Sequence, residues 1–222
     1  TTRENDHVAK VVLKGLKPET SYQYIVFIDG QKNELPNQIF TTFNLEGRAG
    51  AFRLAFGGGA GFVPQHEYVW NTIADTKPNA LFQLGDNVYI DNTDVMDMHH
   101  YCYYRRQSRP EYRALVAGVS VFSIWDDHDF GLNDCSGGPE IEFPKWKRLT
   151  YQVFRDNWAN PAYGGGDKQP GIWWDAYIND VHFICIDGRY YRTNPKKNKG
   201  KLSMLGPAQK RWFLNTIKSS KG

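Results

Sequence analysis

The sequence predicts an α/β chain preceded by a few strands of an all-β unit, and three observations carry that expectation. Before residue 47 the composition is that of strands and turns alone. From residue 53 onward, short apolar runs alternate with stretches of helical periodicity, the signature of strands and helices following one another. Polar and acidic residues then gather just past the carboxyl ends of the apolar runs, where layered α/β folds bind their ligands. Two units, 1–46 and 47–222, are therefore expected.

In the first unit, residues 8–13 and 22–28 have strand composition, and Asp29-Gly30 is a hairpin-turn dipeptide. A further short strand is expected over 38–43, after a proline-containing loop. Between the first two lies Leu16-Lys17-Pro18-Glu19-Thr20-Ser21-Tyr22, with a tyrosine six residues after a leucine. That spacing resembles the tyrosine corner of immunoglobulin-like sandwiches and the late strands of a fibronectin type III-like domain. Three strands fall short of the roughly seven a sandwich needs, so the chain is expected to begin inside a domain.

In the second unit, residues 52–56 form a short strand running into Gly57-Gly58-Gly59-Ala60-Gly61, and 68–74 a helix that ends near Lys77-Pro78. Residues 80–84 read as a buried strand ending at Gly85-Asp86, 110–116 as a helix, and 119–125 as an apolar strand ending at Asp126-Asp127-His128-Asp129. A long helix over 143–157 stops before Pro161. Residues 171–177 and 181–187 suit a strand pair joined at Asn179-Asp180, and 209–217 places Trp212, Phe213 and Ile217 at helical spacing. His99 and His100 fall in a loop-like stretch with surface or packing roles. Adjacent histidines point apart in most backbones and are not expected to share a metal.

The 222 residues are 41% hydrophobic and 15% aromatic, ample for a folded core, at a formal net charge of +3. That charge is too small for a nucleic-acid partner, which would need a concentrated basic stripe. The one basic run, residues 196–201, lies among Asn, Pro and Gly and reads as a solvated loop. No apolar run approaches the ~20 residues of a membrane span, and residues 1–6 are polar rather than a signal peptide. Three cysteines are too few for a disulfide framework and match no zinc signature. Cys185, in an apolar run, is expected as a buried free thiol. Whether Cys102 and Cys135 pair stays open.

The acidic strand ends carry the chemistry. Three carboxylates and a histidine within four residues, Asp126 to Asp129, repel one another unless a cation or a hydrogen-bond network neutralises them. The plain structural reading is a helix amino terminus with capping acids. The preceding strand, the adjacent Trp125 and a second acidic strand end at Asp86 favour a metal site instead. Its oxygen-rich ligands suit hard cations such as Ca²⁺, Mn²⁺ or Fe³⁺.

Several blocks in order resemble the alkaline phosphatase D family: Leu84-Gly85-Asp86-Asn87-Val88-Tyr89, Tyr104-Arg105-Arg106, the run from Trp125 to Asp134, Trp158 to Gly164, Asp187-Gly188-Arg189-Tyr190-Tyr191-Arg192, and Leu205-Gly206-Pro207-Ala208-Gln209. That family belongs to the calcineurin-like metallophosphoesterases, so the resemblance implies a layered β-sandwich flanked by helices with a dinuclear metal centre. It implies Asp86 as the bridging ligand, Tyr89 as a phenolate ligand to a ferric ion, and Asp127 as a second-metal ligand. His128 would support the transition state or protonate the leaving group. Asp126 and Asn133 are further metal candidates and, with Asp129, alternatively residues that orient the ligands; Asn87 and Arg189 are candidate substrate contacts, with Arg189 alternatively bracing Asp187. Ca²⁺ and Fe³⁺ are the implied cations, with Mn²⁺ or Zn²⁺ as further options. The implied activity is hydrolysis of phosphate monoesters or diesters by a hydroxide generated between two cations, outside the cytoplasm, in a secreted or periplasmic protein.

Two departures stand against the pattern. Gly59 falls where the family carries a cysteine ligand, and a glycine offers no ligating side chain to iron. The family's last metal block, Gly-Asp-x-His, is not found before Gly222, so the chain is expected to be incomplete at that end also. Both departures favour the competing expectation, a catalytically impaired relative that binds Ca²⁺ or phosphate as an interaction module.

Overall fold

A parallel three-stranded sheet organises the second unit, in the order β5 (Leu54–Gly57), β6 (Ala80–Leu84), β7 (Ser120–Ile124). These are the strands expected from the apolar runs, in a computed structural model that describes residues 6–35, 38–200 and 202–221. The central strand is buried at its first four positions. A strand covered on both faces needs apolar side chains at successive rather than alternate positions, which is why 80–84 reads as a continuous run.

The two faces of β6 lead to different layers. Leu81 packs with Trp70, Tyr112 and Leu115 from helices α1 (Val69–Asp75) and α3 (Pro110–Val116). Phe82 points the other way and stacks on Phe183 at 4.8 Å and on Trp174 at 6.3 Å. Those rings belong to the antiparallel pair β8 (Trp174–Ile178) and β9 (Val181–Cys185), which turns at Asn179 with φ 56°. Sheet lies on sheet with helices outside, the layered β-sandwich that the family resemblance implied. Full burial of a side chain such as Leu81 contributes about 1.5–3 kcal/mol.

A third cluster joins Trp125 and Phe130 to Tyr151 and Phe154 of α5 (Trp146–Asn157) and to Tyr190. Inside it the Lys147 ammonium sits among the carbonyl oxygens of Gly137, Gly138, Glu140 and Tyr190, 4.4 Å from the centre of the Tyr190 ring. Burial lowers its pKa to about 8, while the Asp187 and Glu140 charges pull it back up. Replacing Lys147 with Met keeps the stem and orphans four carbonyls. The expected cost is about 2–3 kcal/mol, read as a lower midpoint in urea with an unchanged slope.

The chain closes with α6 (Gly206–Ser219), longer than the expected 209–217. Gln209, fully buried, accepts from the Asp187 N–H at 2.7 Å and donates to its carbonyl at 2.9 Å, clamping the helix to the end of β9.

The amino-terminal unit departs most from expectation. Residues 8–13 form no strand: Val11 and Val12 are 80% and 78% exposed, and strand composition yields a strand only where a partner edge pairs its backbone. Lys10 instead holds this segment against the carbonyl oxygens of Arg155 and Trp158 at the end of α5, as cations do at helix carboxyl termini. The single strand expected over 22–28 is two. β1 (Ser21–Gln23) pairs with β4 (Ile39–Thr41), and β2 (Val26–Ile28) pairs with β3 (Gln31–Asn33) across the expected Asp29-Gly30 turn. The break frees Tyr24 to donate its hydroxyl to the Ala117 carbonyl at 2.8 Å. Tyr22 accepts from the Lys17 N–H at 2.8 Å, the backward contact of a tyrosine corner.

A second departure is α2 (Met96–Gln107), which covers the stretch read as loop around His99 and His100. Its polar, aromatic composition hides the period, but the Asn92 side chain accepts from the Asp94 and Val95 N–H groups just before it and so turns the chain into the helix. His99 is buried against the Asn92 carbonyl at 2.7 Å, and His100 faces Asp6 at 2.9 Å, so the two rings do point apart. Cys102, Cys135 and Cys185 are all free, the thiols of Cys135 and Cys185 pushed up to about 12 by burial. Residues 1–5, the expected loop proline at position 36, and Lys201 of the basic run lie outside the described residues. Lys196, Lys197 and Lys199 are exposed, in keeping with a solvated loop.

Candidate metal centre

The acidic strand ends of β6 and β7 meet because Gly85 lets them. A Cβ at Gly85 would lie 2.7 Å from the Asp126 Cβ and 2.8 Å from its backbone nitrogen, and the residue holds φ 101°. Only glycine permits both the contact and the angle. Asp86 follows with φ 50°, a left-handed conformation that aspartate tolerates better than most residues.

Asp129 ties the two ends together. It sits in the short helix α4 (Asp127–Phe130) and is 1% exposed. One carboxylate oxygen accepts from the Asn87 and Val88 N–H groups at 2.9 and 3.0 Å, and the other from the Asp126 N–H at 3.0 Å. With Asp126 it completes a capping box, so the capping reading of this acidic run is correct for Asp126 and Asp129. Burial pushes the Asp129 carboxyl up to about 7 despite the three N–H donors.

The remaining groups converge. One ligand atom each from Asp86, Asp127 and His128 falls within 4.8 Å of the others. Asp86 Oδ1 is buried without a partner, and Tyr89 donates to Asp86 Oδ2 over 3.4 Å. Burial raises the Asp86 pKa, and Asp126 and Asp127 add to that against the opposing pull of His128. Burial would raise Asp127 too, but the Asp134 N–H at 2.5 Å and the Arg189 charge hold it below the usual range. The His128 ring lies 4.3 Å from that of Tyr89 and shares its Nδ1 with Asp91 at 2.5 Å. Burial works to lower the His128 pKa, and the bond to Asp91 together with the nearby carboxylates overcomes it, so the net shift is upward.

A histidine raised in the folded state stabilises the protein below the unfolded value near 6.5, and that stability is lost as pH rises through the folded pKa. Asp91→Asn is therefore expected to move the His128 titration of the metal-free protein to lower pH. The imidazole proton resonances followed by NMR would check it; an unmoved midpoint would deny the pair its role.

The Arg189 side chain turns to the acidic run. Its guanidinium bonds Asp126 at 2.5 Å, Asp127 at 3.2 Å and the Cys135 carbonyl at 3.2 Å. It thus braces the two carboxylates of the acidic run, while Asp187 is bound by the Arg189 backbone N–H at 2.8 Å. Asn87 is 2% exposed, with its amide on the Ile124 carbonyl at 2.8 Å. Asn133 is exposed and its amide donates to Asp134 at 3.2 Å. The structure therefore gathers Asp86, Tyr89, Asp127 and His128 and puts Asp126 and Arg189 beside them.

Two participants went unread. Asp91 could have been suspected from its place five residues after Asp86 on the same strand-end loop. Of the buried pair Glu67–Arg106, 3.1 Å apart, Arg106 falls in the Tyr104-Arg105-Arg106 block, whereas Glu67, 39 residues earlier, carries no sequence signal. Through Arg106 Nη2 on the Ala60 carbonyl at 2.7 Å, it holds the glycine-rich loop.

The donors present fit a hard cation: an unpartnered buried carboxylate oxygen, a second carboxylate, a phenol and an imidazole. A Cβ at Gly59 would have the Tyr89 hydroxyl, at 3.9 Å, as its neighbour, so a side chain at 59 would face the centre. No thiol reaches it, and the cysteine-ligated ferric site is not supported by these residues.

Fold and site together define a layered α/β protein with an acidic cluster of cation-ligating residue types at the carboxyl ends of its parallel strands. The model of the PhoD-like phosphatases matches residues 54–222, and the chain belongs to that family. Among solved structures, that of PhoD superposes with a TM-score of 0.76 at 16% sequence identity, over 94% of this chain and 47% of that one. The chain thus spans about half the length of that relative. No curated protein sequence matches it. Among the described residues, no helix is long and apolar enough to cross a membrane.

Proposed function

We propose that the centre hydrolyses phosphate monoesters or diesters with bound metal, and that Asp86, Tyr89, Asp127 and His128 carry the reaction. The convergence of Asp86, Asp127 and His128 within 4.8 Å, around a carboxylate oxygen that nothing else satisfies, carries this reading. Asp86, central in the group, is the candidate bridge in a dinuclear site, with Tyr89 and Asp127 to either side. Cations held there, Ca²⁺ foremost with Mn²⁺ or Zn²⁺ as alternatives, supply neutralisation of the phosphoryl oxygens and acidification of water.

The chain's own residues do the rest. With Nδ1 engaged by Asp91, His128 keeps Nε2 for the ester oxygen, and its raised pKa keeps a proton there for the departing alkoxide. Arg189 offsets the charge of Asp126 and Asp127 and keeps the run in place. Action outside the cytoplasm rests on the family resemblance alone.

The test is hydrolysis of bis(p-nitrophenyl) phosphate before chelation, after it, and after restoring each cation. Turnover lost on chelation and regained with metal supports the reading. Absence of turnover with Ca²⁺, Mn²⁺, Zn²⁺ and Fe³⁺ alike would favour the second reading, a relative that binds Ca²⁺ or phosphate without catalysis. The observation on that side is that both Asp127 oxygens are already engaged, by Arg189 and by the Asp134 N–H.

A further inference from the structure

The glycine-rich loop that faces Tyr89 also forms one wall of a pocket of ≈ 310 Å³. Its apolar walls are Val69, Trp70 and Ile73 from α1 and Leu81 from β6, with Gln83 and Asn87 among its polar lining. The space exists because β5 ends in glycine: a Cβ at Gly57 would meet nothing within 4 Å, and its φ is an ordinary one. An engineered apolar cavity of about 150 Å³ takes up benzene. Twice that volume holds a two-ring aromatic group.

Of the charged groups lining the pocket, Arg106 and Glu67 pair with each other, although Arg106 Nη1 is left without a hydrogen-bond partner. Arg106, 4% exposed, bonds the Ala60 carbonyl and faces Glu67 at 3.1 Å, and Glu67 also accepts the Trp70 indole N–H at 2.9 Å. The Arg106–Glu67 pair carries no net charge to draw in a phosphate or carboxylate, and a neutral apolar group meets the hydrophobic wall. The pocket is also tied to the metal centre. The Gly59 N–H donates to the Gly85 carbonyl at 3.2 Å and the Ala60 N–H to the Asp86 carbonyl at 2.8 Å, so the loop that walls the pocket is bonded to the backbone that carries Asp86.

From this juxtaposition we infer that the pocket binds the neutral aromatic part of an ester, the alcohol that leaves. The assignment of leaving group rests on the proposed hydrolysis. Water forms the new P–O bond, the P–O bond to the alcohol breaks, and the alcohol oxygen takes up a proton.

Two readouts separate the pocket from the catalysis. The first is calorimetric titration of the 222-residue chain with 1-naphthol in chelator, where no turnover is involved. The wild type is expected to bind, and Gly57→Leu, which fills the open space, to bind at least tenfold more weakly. Val69→Glu, at a position 44% exposed and thus safe for folding, is expected to do the same. The second is KM with restored metal, expected to rise at least tenfold for 1-naphthyl phosphate in both variants and to hold for glycerol 2-phosphate. Equal naphthol affinity in all three proteins, no binding at all, or an unchanged naphthyl-ester KM would overturn the assignment. Naphthol binding lost in both variants, with no ester hydrolysed by the wild type under any cation, would leave the pocket standing and sink the hydrolytic reading.

Discussion

Asp86→Asn is expected to abolish metal-dependent hydrolysis of bis(p-nitrophenyl) phosphate, by at least about 100-fold, while leaving the metal-free protein as stable as the wild type or more so. The two halves have one physical cause. Asp86 is a carboxylate raised in pKa by burial and by Asp126 and Asp127, with one oxygen buried and unpartnered. In the metal-free fold it is a cost, because a desolvated charge faces like charges without a counter-ion. An amide of the same shape removes the repulsion, so the metal-free Tm should hold or rise. With cation present the signs invert: the wild type gains Tm by mass action and the variant does not. Loss of a ligand also exceeds the 10–100-fold typical of residues that merely orient ligands. Thermal melts with and without cation, beside the rate assay, would decide it. A variant that is destabilised without metal would show that Asp86 is structural, and one that keeps its turnover would remove it from the mechanism.

The second large effect belongs to a residue that need touch neither metal nor substrate. Asp129→Ala is expected to cost about 3–9 kcal/mol, because three buried N–H groups, of Asn87, Val88 and Asp126, lose their acceptor at about 1–3 kcal/mol each. Against a total stability of about 5–15 kcal/mol, that approaches unfolding. Asp129→Asn gives the milder case, since its amide oxygen can still accept from Asn87 and Val88 while its NH₂ meets the Asp126 N–H. The pH dependence has a definite sign. A carboxyl at about 7 when folded and 3.8 in a free chain binds its proton in the folded state first. Stability through this group therefore rises as pH falls from about 7 to about 4, and the Asn variant should lose that component. Urea titrations at several pH values read both effects. A midpoint within experimental error of wild type for the alanine variant would contradict the role given to Asp129.

Much of this was legible from residue order because local chemistry decided it. The strand at 80–84 shows as an unbroken apolar run because it is buried on both faces, and Asp29-Gly30 and Asn179-Asp180 mark turns because those residues accept positive φ. The helix at 96–107 was invisible for the opposite reason. Its buried face is made of His99, Cys102, Tyr103 and Arg106, residues that periodicity counts as polar or ambiguous. The strand expected over 8–13 failed because pairing requires a partner edge, which composition does not report.

At the site the division is similar. Asp86, Asp127 and His128 stand out by type and by position at strand ends, so their candidacy came with the sequence. Their division of labour did not. Asp126, Asp127, His128 and Asp129 are consecutive, yet one is held by Arg189 and caps a helix, one joins the cluster pinned by Arg189 and Asp134, one leans on Asp91, and one is a buried tie between strands. Residue types and local spacing determined that acidic groups would end two parallel strands and that hard cations would suit them. Only the tertiary structure decided which carboxylate keeps an unsatisfied oxygen, because desolvation and hydrogen bonding are set by groups as distant in the chain as Arg189 and Asp127, brought together across 62 residues.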